Sequence, residues 1–352
     1  MFIDAVATAV PATRYTQRDC WDALRATPRF AALSAPARLL LERVLTGEQG
    51  VRSRHLALER LSDAFTLEAD VLAARFSRHA PQLATEAARH ALEKAGRNAA
   101  DVDALVISTC TGYLCPGLTS HVSERLGLRA DTLGLDLVGQ GCGAALPNLR
   151  AAEALLAAGR AAHVLCICVE VCSAALYIDD DPGVLVSGCL FGDGAAAALV
   201  SAQPAPRARR LEWVDTVSHT DPAERDRLRM ETRGGLLRNI LSREVPNLAA
   251  ERANVLLESA LAKHGLQKRD ITQWIWHAGG RTVLERLRAL TGLGEHDTRC
   301  SAQVLERFGN LSSPFVLFVL ARALEERAAP GWWWMSSFGA GFSCHGALLR
   351  AA

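Results

Sequence analysis

Short apolar runs alternate with longer amphipathic stretches along this chain. Asp103–Thr109, His163–Cys172, Ala195–Val200, Thr272–His277 and Gly331–Ala340 are apolar runs of strand length, and such runs between turn residues mark strands in a packed core. Asp131–Val138 is expected to be a further buried strand. Ala144–Gly159, rich in alanine and leucine and closed by glycine, predicts a helix. Strands alternating with helices point to an α/β protein whose parallel or mixed sheet is covered by helices.

The pattern repeats. Thr109 lies 168 residues before His277, and Cys142 lies the same 168 residues before Asn310. At that offset His163–Cys172 falls on Gly331–Ala340. Further on the offset drops to 149, where Ala198–Ser201 matches Ala347–Arg350, so the first half carries about 19 extra residues within Ser173–Gly194. A two-fold internal duplication explains these spacings. It predicts an N-terminal half over residues 1–201, a linker at 202–210 and a C-terminal half over 211–352, fused through one sheet system.

With 352 residues, 49 % of them apolar, the chain can bury a large core. A net charge of +1 argues against nucleic acid as a general partner. The short basic run Arg207-Ala-Arg209-Arg210, beside two prolines, suits a solvated linker. The N-terminus has an acid at Asp4 and no basic segment before an apolar core, and no apolar stretch is long enough to span a bilayer. A cytoplasmic protein with ten reduced cysteines is therefore expected. No cysteine pair has Cys-x-x-Cys spacing, so no metal site is expected. Gly139, Gly141 and Gly143 lack the Gly-x-Gly-x-x-Gly spacing of a dinucleotide site.

The chemistry concentrates on Cys142. It stands in Gly139-Gln-Gly-Cys142-Gly-Ala-Ala, on a glycine-lined turn between a predicted strand and helix. Backbone room suits a nucleophile at such a turn, and a helix N-terminus favours thiolate over thiol. An imidazole at His277 and an amide at Asn310 would complete a set able to run acyl transfer and decarboxylation. Ser313-Pro314 also fits the start of a helix, with serine as its cap, which leaves a turn-only role open for Asn310. Phe191, beside a glycine turn, would wall a substrate cavity, whereas Asp193 and Gly194 are expected to form a plain corner.

Four motifs in register, Gly-Gln-Gly-Cys142, Leu-Phe191-Gly-Asp-Gly-Ala-Ala, Trp-Ile-Trp-His277-Ala-Gly-Gly and Gly-Asn310-Leu-Ser-Ser, resemble those of the type III polyketide synthases. These are the chalcone and stilbene synthase-like enzymes of the thiolase superfamily, and the resemblance, to the bacterial type, covers essentially the whole chain. It implies a five-layered αβαβα fold of two duplicated halves, a homodimer, and a site using coenzyme A thioesters with no further cofactor. It casts Cys142 as nucleophile, and His277 and Asn310 as decarboxylation and oxyanion residues. Phe191 becomes the gatekeeper, with Cys110, Cys172, Ala175, Ser187 and Phe338 around the cavity. Coenzyme A would meet Arg38, Arg43, Gly279 and Gly280, and Cys115 would reach the partner's site. The implied reaction extends an acyl-coenzyme A starter with malonyl-coenzyme A to pyrone or resorcinol products. The alternatives are a β-ketoacyl synthase III-like enzyme condensing once onto a carrier protein, and a non-catalytic thiolase-fold binding protein.

The departures concern the walls. Ser337-Phe-Gly-Ala-Gly341 replaces the plant Gly-Phe-Gly-Pro-Gly loop, and its continuation is similar to a β-ketoacyl synthase III. The second plant gatekeeper falls near Asn239, and Cys110 and Ala175 stand where plant members have threonine.

Overall fold

The computed structural model describes residues 1–47, 50–204 and 210–352. Its strands are β1 Phe2–Ala9, β2 Arg14–Thr16, β3 Ser53–His55, β4 Ala104–Thr109, β5 Leu133–Val138, β6 His163–Glu170, β7 Gly194–Ser201, β8 Leu211–Thr220, β9 Leu228–Arg233, β10 Leu236–Leu241, β11 Ile271–Trp276, β12 Gly331–Gly339 and β13 Ser343–Ala351. Nine of them form one sheet in the order β11-β12-β13-β8-β1-β7-β6-β4-β5, and β2–β3 and β9–β10 make two small ribbons.

The sheet contains one arrangement twice. From β1 outward, β7 and β6 add antiparallel, then β4 and β5 add parallel. From β8 outward, β13 and β12 add antiparallel and β11 adds parallel. The two runs meet where Phe2 pairs with Glu212. Of the linker expected at 202–210, residues 205–209, with Arg207 and Arg209, lie outside the described residues.

Helices separate and cover these runs in five layers. On one outer face, helix Ala69–Ala95 lies on β1, β7 and β6. Its contact stripe of Ala80, Ala84, Ala87, Ala88 and Ala91 is fully buried, and such small side chains let helix and sheet approach closely. Helix Val245–Lys263 covers β8, β13 and β12 on the other face. Between them lie Ala145–Ala157 and Phe315–Glu325, each touching strands of both runs. Phe315–Ala321 is buried on every side, which explains a helix that is apolar all round. No helix among the described residues is long and apolar enough to cross a membrane.

Two expectations need correction. The segment before Cys142 is a strand but not a buried one: β5 is an edge strand paired only with β4, and Leu133 and Val138 are exposed. Ser313 does not cap the following helix, which starts at Phe315 without a side-chain cap; its hydroxyl goes to Glu170 instead.

Candidate active site

Cys142, His277 and Asn310 reach one region from three separate elements. Cys142 sits in the short 3-10 turn Gly141–Gly143 ahead of helix Ala145–Ala157. Gly139 and Gly141 adopt φ of +85° and +56°, a region costly for other residues. The strand end Ser337–Gly339 packs against this turn: Ser337 Oγ donates to Gly143 O at 3.0 Å. A Cβ on Gly339 would come within 2.4 Å of Gly143 N, so glycine is required there by close backbone approach.

His277 continues β11, its amide donating to Ser336 O on β12 at 2.8 Å. The ring is held edge-on by Phe315 and Phe338, at centroid distances of 5.1 and 4.9 Å. Neither ring nitrogen has a hydrogen-bond partner among the described residues. Burial pushes its pKa down to about 3, so the ring is neutral.

Asn310 and Phe191 are tied together through the backbone. Asn310 N donates to Leu190 O at 2.8 Å and Gly192 N donates to Asn310 O at 3.0 Å. The side chain of Asn310 accepts from Ser312 N at 2.9 Å and donates to Gly279 O at 3.3 Å. It therefore does hold a turn, and its amide still lies beside the glycine pair after His277. The buried guanidinium of Arg54 on β3 fixes the same segment, donating to Gly188 O at 2.7 Å and Phe191 O at 2.9 Å.

Burial works on Cys142 in the direction opposite to that expected. It pushes the Cys142 thiol up to about 12, against a smaller lowering by the Ser312 hydroxyl, whose Oγ lies 3.1 Å from Cys142 Sγ. A neutral thiol and a neutral imidazole thus face this site at rest, rather than a thiolate favoured by the helix N-terminus. Desolvation of a buried anion outweighs the pull of a helix end.

Two further residues of this region carry little signal in the sequence. Ser312 stands between two thiols, with Cys110 Sγ 3.4 Å from its Oγ. Glu170, fully buried at the end of β6, accepts from the amides of Cys110 and Thr111, from the hydroxyls of Thr109 and Thr111, and from Ser313 Oγ at 2.5 Å. Burial raises its pKa. A buried carboxylate with this many donors acts as a clamp on the segment carrying Cys110 and on the turn carrying Ser312. Asp193 is likewise more than a plain corner, since it is buried and accepts from Ala57 N, Ser173 N and Ser173 Oγ.

From Cys142 a cavity runs between the segments carrying Cys110 and Phe191 towards the helices of the N-terminal part of the fold. Cys110, Cys172, Ala175, Ser187 and Phe191 line it as expected. Asn239, on the β9–β10 hairpin, lines it too and donates to Ser187 Oγ at 2.9 Å. The far wall is apolar, with Leu24, Leu41, Leu45, Leu61 and Phe65. Phe338 packs on His277 and, like His277 and Asn310 themselves, does not line this cavity. Helix Ala35–Thr46 turns Leu41 and Leu45 inward, while Arg43 is exposed and Arg38 donates to Ala31 O. Gly280 abuts Leu190, and Cys115 is exposed.

Comparison with known proteins agrees over the whole length. Residues 64–251 match the family model described as FAE1/type III polyketide synthase-like protein, and residues 222–352 match the C-terminal domain of chalcone and stilbene synthases. The chain is 34 % identical over 354 residues to 1,3,6,8-tetrahydroxynaphthalene synthase of Streptomyces peucetius subsp. caesius, covering 99 % of this chain and 92 % of that protein. It is 30 % identical to 3,5-dihydroxyphenylacetyl-CoA synthase of Streptomyces toyocaensis, over 92 % of this chain and 83 % of the relative. Among solved structures, PKS-I of the brown alga Ectocarpus siliculosus superposes with a TM-score of 0.91 at 27 % identity, covering 99 % of this chain and 98 % of that one.

Proposed function

Because the chain belongs to the type III polyketide synthases, condensing acyltransferases with a thiolase-like fold, we propose that Cys142 carries the growing acyl chain and that His277 and Asn310 generate the extending nucleophile. The observation that carries this reading is the apolar cavity opening at the Cys142 sulfur.

Loading begins as His277 takes the thiol proton and Cys142 sulfur attacks the starter's thioester carbonyl. The bond from that carbonyl to the coenzyme A sulfur breaks, and coenzyme A leaves with the proton from His277. Malonyl-coenzyme A then places its thioester oxygen between His277 and Asn310. The bond to its carboxylate breaks, carbon dioxide departs, and the electron pair forms an enolate stabilised by the two donors. The enolate carbon attacks the acyl-cysteine, and Cys142 leaves as thiolate. The product is a β-ketoacyl-coenzyme A two carbons longer. Every step moves electron pairs and protons among substrate atoms, Cys142 and His277, so the scheme calls for no metal or redox cofactor. Arg38, Arg43, Gly279 and Gly280 are assigned to coenzyme A.

The walls favour medium to long fatty acyl starters, leading to alkyl pyrones or alkylresorcinols. Ala175 is small, Cys110 is compact, Asn239 replaces an aromatic gate, and the far wall is leucine-lined. Mass spectrometry of products from malonyl-coenzyme A with acetyl to palmitoyl starters, without carrier protein, tests this. Long starters should be extended, and Ala175→Trp should shift the preference to shorter ones. A wild type confined to short or aromatic starters, with Ala175→Trp leaving its profile unchanged, would exclude an acyl tunnel past Ala175.

The site is assigned to a homodimer. Tyr113 is 76 % exposed and Val138, at the end of the edge strand β5, is 55 % exposed; apolar side chains left open on and near a bare edge strand suit a second copy of this chain. Cys115, on the same loop, would then lie near the partner's site. Sedimentation should give a dimer, and a fully active monomer would contradict the assignment.

A further inference from the structure

Ser312 occupies a position that acyl transfer by Cys142 does not by itself explain. Its hydroxyl is 3.1 Å from Cys142 Sγ and 3.4 Å from Cys110 Sγ, and the residue is almost fully buried. Its backbone has φ of +58°, a conformation seldom adopted by a residue with a side chain. Such strain persists where the surroundings over-determine it, and here they do. Asn310 Oδ1 accepts its amide at 2.9 Å, and the next hydroxyl, Ser313, is bound to Glu170 at 2.5 Å. Both sides of Ser312 are thus anchored, and the left-handed turn aims its side chain at sulfur.

We infer that Ser312 is the hydrogen-bond donor that stabilises the Cys142 thiolate. At rest either partner can donate across the 3.1 Å contact. Once the thiol proton has left, the sulfur can only accept, and the hydroxyl must be the donor. Charge-assisted hydrogen bonds are the stronger kind, and the donor of this one is buried. It is also the side-chain hydrogen bond that lowers a thiol pKa otherwise raised by burial. After acylation the thioester sulfur is a weak acceptor, and the hydroxyl can turn to Cys110. Asn310 thereby serves the nucleophile as well as the extender, because its side-chain oxygen holds the residue that holds the sulfur.

This rests on Cys142 as the nucleophile, so the test uses the free enzyme and needs no turnover. Iodoacetamide alkylation of Cys142, followed by peptide mapping across pH 6–10, is compared for wild type, Ser312→Ala and Ser312→Gly, with circular dichroism to establish folding. Loss of the donor lowers the thiolate population about tenfold, partly offset by the greater reactivity of a more basic thiolate. Alkylation at pH 8 should therefore be about three- to tenfold slower in both variants. Glycine relieves the left-handed backbone, so a purely structural serine would leave Ser312→Gly alkylating at the wild-type rate. That rate in both folded variants overturns the inference while leaving Cys142 as nucleophile. An acyl group from acyl-coenzyme A found on another cysteine of the wild type would instead overturn the reading on which it rests.

Discussion

Asn310→Ala should slow malonyl-coenzyme A decarboxylation by about 10²–10³-fold, the cost of removing one donor from a developing oxyanion, and His277→Ala should do the same. The two residues end separate elements, β11 and helix Arg299–Phe308, yet Asn310 Nδ2 already lies 3.3 Å from the carbonyl of Gly279, two residues beyond His277. Asn310 also accepts from Ser312 N, and Asn310→Asp separates its two roles. Aspartate keeps the acceptor for Ser312 but loses the N–H and brings a negative charge towards the enolate, so its decarboxylation should fall at least as far as that of alanine. Because burial holds His277 near a pKa of 3, it donates as a neutral imidazole, and its contribution should stay constant from pH 5 to 8. Carbon dioxide release, measured with circular dichroism on the same samples, checks all three variants. If folded Asn310→Ala decarboxylates like the wild type, Asn310 is only a turn residue.

The candidate trio was legible because each member sits where the sequence changes character. Cys142 follows a glycine between an apolar run and a helix, Asn310 follows a glycine ahead of an apolar helix, and His277 ends an apolar run. The 168-residue spacing pairs Cys142 with Asn310 and Thr109 with His277. What the sequence hid depends on backbone conformation and on solvent. Ser312 is one of two adjacent serines, and only a left-handed turn aims it at the sulfur. Glu170 did leave a trace, as a lone acid at the end of an apolar strand, but its five donors come from segments distant in sequence. The resting state of Cys142 was misjudged because proximity to a helix N-terminus is visible in sequence and desolvation is not. The exposure of β5 was missed because an edge strand with apolar residues on its open side reads in sequence like one buried within the sheet.

The largest single effect is expected at Cys142, where Cys142→Ala should reduce polyketide formation to background. The Cys142 sulfur is the only protein atom in the scheme that bonds covalently to the acyl chain, and alanine offers no substitute. Ser312 and the neighbouring thiols do not provide one either. Burial pushes the Cys110 and Cys172 thiols up as well, and the Glu170 carboxylate adds to both shifts. Loss of the thiol should leave the fold intact, because Cys142 lies in an open-sided turn at the cavity wall and the neighbouring turn bond, from Ser337 Oγ to Gly143 O, does not involve its side chain.

Intact-mass spectrometry with peptide mapping, after incubation with an acyl-coenzyme A and no extender, tests the central claim most directly. The account predicts a gain of one acyl group per chain, located on the peptide containing Cys142 and absent from Cys142→Ala. An acyl group that persists in Cys142→Ala, or that maps to Cys110, Cys172 or any other residue in the wild type, would contradict it.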